Sequence, residues 1–338
     1  MLERPVKSPG RRLFAYILSA TLVPMVAAVG LTSAHADSYP NRPVRFVVPF
    51  TTGGSADILA RMLGDQLTRR LGQAFVVDNK PGGATAIGAQ LVARAQPDGY
   101  TLMLSTSSTF TINPAMSVDT KLPYDPVNDF VPVAQVTDLP VVLVGNSAAP
   151  FQSLVELLAA DERSPNTYDY ASFGTGTGSH LAGEIFKRAT GARIVHIPFP
   201  GTQAAVNAVL AGQVPLTFTS VSSALPLVKA GKLKAYGLMS PSRTRLMPDV
   251  PTFAELGYPS SRLVGWNVVV APRGTPQEVV QVLESNLRAI MSDPQFVRKV
   301  LDAGLEPSYS KISDWAAVLG LETSHYRSIV EAAGLRKN

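Results

Sequence analysis

The chain contains no cysteine. That absence removes disulfides, thiolate nucleophiles and cysteine-ligated metal sites together. A chain of this length stands without disulfides even when exported, because its core is large enough. Blocks of Lys and Arg interleaved with aromatics are also missing, so no nucleic-acid partner is expected. No G-x-x-x-x-G-K-[ST] phosphate loop occurs, and no G-x-S-x-G nucleophile elbow; residues 174–178 come nearest to the latter and read G-T-G-T-G, without the serine. Histidine is limited to four residues, with no H-E-x-x-H motif or His/Asp cluster to hold a metal. The reading is of a non-enzyme with no catalytic residues, no metal and no cofactor.

Long apolar runs are confined to one place, Leu13 to Leu31. Lys7, Arg11 and Arg12 precede it, and Ala34-His35-Ala36 follows as an A-x-A cleavage site. Residues 1–36 therefore read as an export signal cut near Ala36–Asp37. The alternative is a permanent anchor, since the run approaches a bilayer span of ~20 residues. Pro24 within it and the small residues before Asp37 favour cleavage. Arg11-Arg12-Leu13-Phe14 also matches the start of a twin-arginine signal. Four of the 30 basic and one of the 25 acidic residues fall in the signal, leaving 26 and 24, a formal +2 on a mature chain of 302 residues. That length accommodates two domains.

The mature chain alternates strand-like and helix-like segments. VRFVVPF (44–50) is a continuous apolar run suited to a strand buried on both faces. Ile58, Leu59, Met62, Leu63, Leu67 and Leu71 then recur at helical spacing over 55–71, and Gly72 follows as a stop. AFVVDN (74–79), a helix at 83–95 and YTLMLS (100–105) complete a βαβαβ unit with a parallel sheet. The pattern restarts at VVLVGN (141–146), a helix near 153–160, YDYASF (168–173), a helix at 179–190, RIVHIPF (193–199), a helix at 202–211, VPLTFTS (214–220) and LKAYGLMS (233–240). WNVVVAP (266–272) is strand-like again, and two or three helices follow Pro276. The fold class is α/β with two lobes, the first from 37–140 plus 262–338 and the second from 141–261. In open parallel sheets ligands sit beyond the carboxyl ends of the strands, so the site belongs in the cleft between the lobes.

The loops at those strand ends share one composition. The first lobe offers Thr51-Thr52-Gly53-Gly54-Ser55, Pro81-Gly82-Gly83-Ala84 and Ser105-Thr106-Ser107-Ser108-Thr109. The second offers Gly174 to His180, Pro198-Phe199-Pro200-Gly201-Thr202 and Thr217-Phe218-Thr219-Ser220. Glycines let backbone approach a ligand, and amides at a helix start attract negative charge. Neutral donors of this kind suit a carboxylate or another small oxyanion. Ser55 also reads as a simple N-cap, with Asp57 answering the remaining amides. A dinucleotide fits poorly: the first turn is T-T-G-G-S-A rather than G-x-G-x-x-G, with Asp78 as the nearest acid.

Of the remaining residues, His180 opens a helix beside the glycine loop, while His196 alternates within an apolar strand and reads as packed rather than as a base. Asp78, Asp98 and Asp125 sit in turn-like settings. Tyr100, Tyr124, Phe199, Phe218 and Trp266 are core or pocket wall, and Trp266, after Gly265, is a hinge or lid candidate.

The runs YPNRPVRFVVPFTTGGSADILAR, VVDNKPGGATAIGA, QPDGYTLMLS, YASFGTGTGSHLAGEIF, VHIPFPGTQAAVNAVLAGQV, AGKLKAYGLMS, PDVPTFAELGYP and WNVVVAPRGTP span nearly the whole mature chain. In this order they resemble the Bug-type extracytoplasmic solute receptors of tripartite tricarboxylate transporters. The resemblance implies a monomeric periplasmic receptor of the two-lobed type II periplasmic binding protein fold. Such a receptor closes around a carboxylate and serves a membrane permease. It implies ligand-binding roles for Phe50, Thr51, Thr52, Gly53, Gly54, Ser55, Ser105, Thr106 and Ser107 in the first lobe. In the second it implies them for Thr175, Gly176, Thr177, Gly178, Ser179, Gly201, Thr202, Phe218, Thr219 and Ser220, with Asp57 ordering its loop. After AGQV such receptors usually read D-x-x-F-D; here Pro215 and Thr219 replace both acids, which argues for a non-amino carboxylate, aromatic, hydroxylated or dicarboxylic. A sensor presenting the same ligand to a signalling partner is the alternative function, and a hydrolase the third.

Overall fold

The computed structural model describes residues 39–117 and 121–335. The expected export signal, 1–36, lies outside the described residues. The first unit comprises β1 (Val44–Val48), α1 (Ser55–Leu71), β2 (Phe75–Asn79), α2 (Ala86–Ala93) and β3 (Thr101–Thr106). β1 lies between β2 and β3 and runs parallel to both. Leu59, Leu63 and Leu67, four residues apart, are fully buried under α1, each stabilising the fold by about 2 kcal/mol. Gly72, at φ +73°, closes the helix and donates its N–H to Thr68 O.

The second helix starts later than the sequence implied. Residues 83–85 form a 3₁₀ turn in which Ala84 and Thr85 take φ +50° and +81°. Asn113 Nδ2 holds the Ala84 carbonyl there at 2.5 Å, a contact from outside the segment. After β3, a π-helical turn (Ser108–Ile112) leads into α3 (Asn113–Met116).

Next comes β4 (Phe130–Asn146), a strand of 17 residues. Only its last six residues read as strand in the sequence, because Pro132, Gln135, Thr137, Asp138 and Pro140 interrupt the apolar pattern before them. Then follow α4 (Leu154–Arg163), β5 (Asp169–Ser172), α5 (Gly178–Thr190), β6 (Val195–Pro198), α6 (Thr202–Leu210), β7 (Leu216–Ser220), α7 (Val221–Lys229) and β8 (Leu233–Leu238). α7 was not expected: its paired serines and internal Pro226 look like a loop, yet Ser220 Oγ caps it by accepting from Ser223 N. The chain closes with β9 (Val264–Pro272), α8 (Gln277–Met291), α9 (Pro294–Asp302), β10 (Glu306–Ser310) and α10 (Trp315–Ala332). Among the described residues no helix is long and apolar enough to cross a membrane.

The strands form one path, β2-β1-β3-β9-β4-β7-β5-β6, with β8 and β10 also paired to β4. The two parallel trios, β1–β3 and β5–β7, are joined through antiparallel β9 and β4. The 140/141 boundary expected from the sequence falls inside β4. Asp138 and Leu139 pair with Trp266 and Gly265 of β9, and two residues later Val141 and Val142 pair with Ser220 and Thr219 of β7. The carboxyl ends of both trios therefore come to the same stretch of β4. α10 spans the junction, packing Trp315 and Leu319 with Phe110 and Trp266, and Tyr326 and Ile329 with Phe186 and Phe218.

Candidate functional site

The first loop cluster is organised around one carboxylate. Asp57, only 2 % exposed, accepts from Gly53 N at 2.9 Å and from Asn79 Nδ2 at 3.0 Å. Arg61 Nε and Nη2 close on its two oxygens at 3.0 and 2.9 Å. Burial pushes this carboxyl up, but the bonds from Arg61, the Gly53 amide and Asn79 outweigh it and hold it below the usual carboxylate range. Asn79 Nδ2 also holds the Phe50 carbonyl. Gly53, at φ +85°, makes the turn that a side chain would strain. The N-cap of α1 is Gly54, not Ser55, and no side chain caps this helix start. Thr51, Thr52, Gly53 and Ser55 stay exposed around it.

Ser105, by contrast, is wholly internal. Its hydroxyl bonds Thr109 Oγ1 at 2.6 Å, Thr109 bonds Thr85 Oγ1 at 2.8 Å, and this chain ties the loop after β3 to the 3₁₀ turn. The Ser105 side chain is thus a structural link rather than a ligand contact. Thr106, which ends β3, and Ser107 just after it are 8 % and 2 % exposed.

The second cluster is held through imidazoles and hydroxyls, with the Glu184 carboxylate 3.9 Å from His180 Nε2, across the ring from its bond to the loop. His180 Nδ1 accepts from Gly176 N at 3.0 Å, and its ring stacks on His196 with centroids 3.7 Å apart. His196 Nε2 meets Ser172 Oγ at 2.5 Å, and Ser172 in turn contacts both Gly174 N and Gly174 O. Burial and then the neighbouring His196 push His180 down to about 4; burial also lowers His196. Both rings are neutral at pH 7. The sequence offered no nucleophile–base pair, and Ser172–His196 has that outline. Ser172 is fully buried with its hydroxyl engaged by Gly174, so the pair pins the loop.

Thr177 Oγ1 bonds Gly174 O and caps α5, and Ser179 Oγ donates to Phe218 O at 2.6 Å, tying this loop to β7. Gly201 N reaches Phe173 O at 3.3 Å. Gly201, at φ +98°, starts α6 with no side-chain cap. Among the helices that begin at these loops, α5 and α7 are capped by hydroxyls, α1 and α6 begin on glycine with no side-chain cap, and α2 also begins uncapped, after Thr85. Thr175 is exposed, and Gly176, Gly178, Thr202 and Ser220 are half-buried. Phe218 is not a pocket wall: it is fully buried against Tyr170 and Phe186, because strand alternation turns it into the core. Trp266 is no lid either, being buried, stacked on Phe110 and bonded through Nε1 to Glu322. Thr219 Oγ1 is buried with no hydrogen-bond partner, and so is Asn267 Oδ1, which composition did not single out.

The two clusters approach each other where a Cβ on Gly178 would lie 3.8 Å from Ile112 Cδ1. A separate cavity of about 840 Å³ opens at the junction, lined by Asp138, Pro140, Arg262, Glu306, Glu322 and His325 among others. It holds none of the loop residues above, and its carboxylates already have partners: Gln135 for Asp138, Arg245 for Glu306 and Trp266 for Glu322.

Comparison with known proteins adds identity to this geometry. Residues 59–335 match the model of the tripartite tricarboxylate transporter family receptor. The periplasmic binding protein BugD is similar at 33 % identity and a TM-score of 0.74, covering 89 % of this chain and 100 % of its own. The R. palustris protein Rpa4515, solved with adipate, is similar at 31 % and 0.78, covering 88 % and 99 %. MatC from Rhodopseudomonas palustris, solved with bound malate, is similar at 31 % and 0.71, covering 86 % and 100 %.

Proposed function

We propose that this chain, which belongs to the tripartite tricarboxylate transporter receptor family, captures a small non-amino carboxylate between its two loop clusters and delivers it to a membrane permease. Proteins of the family are periplasmic solute receptors. The lobes 37–140 plus 262–338 and 141–261 close on the ligand about β4 and β9 as hinges. The observation that carries the reading is the pair of glycine-led, uncapped helix starts, α1 at Gly54 and α6 at Gly201, one from each parallel trio. Open first-turn amides favour an anion, and one set on each side of the junction suits the two ends of a dicarboxylate. The adipate and malate complexes of Rpa4515 and MatC support the same class. Thr219 brings a hydroxyl where such receptors usually carry an acid, leaving nothing there to neutralise an ammonium group.

A thermal-shift and calorimetric panel of dicarboxylates, aromatic acids and amino acids tests this. A ligand at 100 times its Kd adds about 2.7 kcal/mol to stability. Tight binding of aspartate or glutamate would overturn the non-amino assignment. Gly54→Asp sharpens the test: Gly54 sits at φ −74°, ψ 165°, and a Cβ there meets only Thr51 O at 3.5 Å. The new carboxylate caps α1, stabilising the ligand-free protein by roughly a few tenths of a kcal/mol. It occupies the amides the ligand needs, so affinity falls as stability rises.

A further inference from the structure

The cavity of about 840 Å³ at the junction lies against β4 and β9, on the face turned away from the loop after β3. Asp138 of β4 pairs with Glu306 of β10 on one side and with Trp266 of β9 on the other. Side chains of directly paired residues share a face, so these three form a row across the sheet, and all three line the cavity. The next pair, Leu139 and Gly265, belongs to the opposite face, where a Cβ on Gly265 would come within 3.1 Å of Ser107 Oγ. Residues of α10 and the stretches around Ser242 and Ser260 complete the walls.

The charged groups around this space are unevenly matched. Glu306 is answered by Arg245 Nε at 2.6 Å, and Arg243 by Glu255 at 3.0 Å. Asp138 and Glu322 receive only neutral donors, among them Gln135 Nε2 at 2.8 Å and Trp266 Nε1 at 2.9 Å. Burial pushes both carboxyls up, and Glu306 adds to this at Asp138. Arg262, exposed, acts on Glu322 through charge alone, and among the described residues no carboxylate pairs with it. His325, lowered by burial and then by Arg188 and Arg262, adds no charge at pH 7. Tyr326 is 4 % exposed and lines the same cavity, and among the described residues nothing takes its hydroxyl. A polar group buried without a partner marks a position where something else supplies the bond. Two carboxylates thus lack a cation, while one guanidinium and one hydroxyl lack an acceptor.

We propose that this cavity is a second ligand site, for a basic amino acid whose carboxylate takes Arg262 and the Tyr326 hydroxyl and whose two cationic groups take Asp138 and Glu322. The volume falls within the range of small-molecule sites, about 300–1,000 Å³. Leu321, 76 % exposed, and Val264 also line it and offer an apolar wall to the aliphatic stem between the two cations. The surplus of carboxylate excludes aspartate, glutamate and plain dicarboxylates. The cavity holds no residue of the loop clusters, so this site stands whether or not the carboxylate reading above holds.

Calorimetric titration of the ligand-free protein with L-arginine and L-lysine tests this, beside L-glutamate and agmatine, which is arginine without its carboxylate. The native protein is compared with Arg262→Gln, Asp138→Asn and Gly54→Asp. Arg262 is exposed, and Asp138→Asn keeps the oxygen that accepts from Gln135, so both variants unfold near the native temperature in a thermal scan. The expected result is binding of arginine or lysine by the native protein, weakened about tenfold or more in Arg262→Gln and in Asp138→Asn. Agmatine and glutamate bind more weakly than arginine by a similar factor, and Gly54→Asp leaves arginine and lysine binding within about twofold of native. If neither basic amino acid binds, or if agmatine binds as tightly as arginine, the proposal is overturned and the carboxylate reading is untouched. Binding that Gly54→Asp abolishes and Arg262→Gln leaves unchanged puts the amino acid between the loop clusters, which overturns the proposal and the non-amino assignment together.

Discussion

The two loop clusters that meet at β4 are made from the same residues, Gly, Ser and Thr, and are held by opposite means. In the first, a buried carboxylate gathers the Gly53 amide, Asn79 and Arg61. In the second, a neutral imidazole accepts from Gly176 while a stacked partner ring and a run of hydroxyls lock the turn. Both arrangements fix their loop through a glycine amide, Gly53 in the first and Gly176 in the second. The difference lies in what each tolerates: a charge-held loop needs its carboxylate ionised, and a neutral loop needs its histidines uncharged.

Asp57→Ala breaks the comparison most severely. It removes the charged acceptor that holds the Gly53 amide and Asn79, and it should cost about 3 kcal/mol in chemical denaturation. Amide exchange should quicken at 50–57 and remain slow at 172–180; equal quickening in both would show that the clusters are not independent.

Acidification acts on the other cluster. A histidine in the unfolded chain protonates near pH 6.5, whereas folded His180 protonates at about 4, so between these values the unfolded state binds more protons. Stability should therefore fall as pH drops through that window, by about 3 kcal/mol, and level off with respect to this group below about pH 4. Asp57, held below the usual carboxylate range, loses its stabilisation at lower pH still. The second cluster should loosen first. A His180 resonance titrating near pH 6.5 in the folded protein would contradict this order.

Thr219→Val is the mildest test. The buried hydroxyl has no partner, and its removal should raise the stability of the ligand-free protein by about 1 kcal/mol while weakening ligand binding. A loss of stability instead would mean that the hydroxyl is already satisfied.

Much of this architecture could be read without coordinates. The Leu59–Leu63–Leu67 stripe marks α1, and the short apolar runs mark β1, β2, β3, β5, β6 and β7, because periodic burial is written directly into residue order. The first half of β4, with its two prolines and its Asp138, could not be read, since its burial comes from β9 and β10 lying on either side of it. α7 was hidden by Pro226, and β10 by a polar sequence whose strand character comes from pairing with β4. At the site, glycine and hydroxyl content located the loops but could not tell an open residue from an internal one. Ser105 and Thr106 are neighbours of the same chemistry, yet one hydroxyl is spent on Thr109 while the other residue closes the strand beside Asn267.

Composition and order alone determined the α/β class, the absence of cysteine and phosphate-loop chemistry, the loop positions, and the resemblance that the family match bears out. These are local properties, set by period, by turn residues and by which side chains are present at all. Only the tertiary structure decided that Gly54 rather than Ser55 begins α1, that Phe218 belongs to the core, and that Ser172 and His196 pin a loop. It alone brought Thr106, Asn267 and Thr137 side by side from three distant segments. Such facts depend on which strands pair and in what register, and register is settled by the packing of the whole sheet.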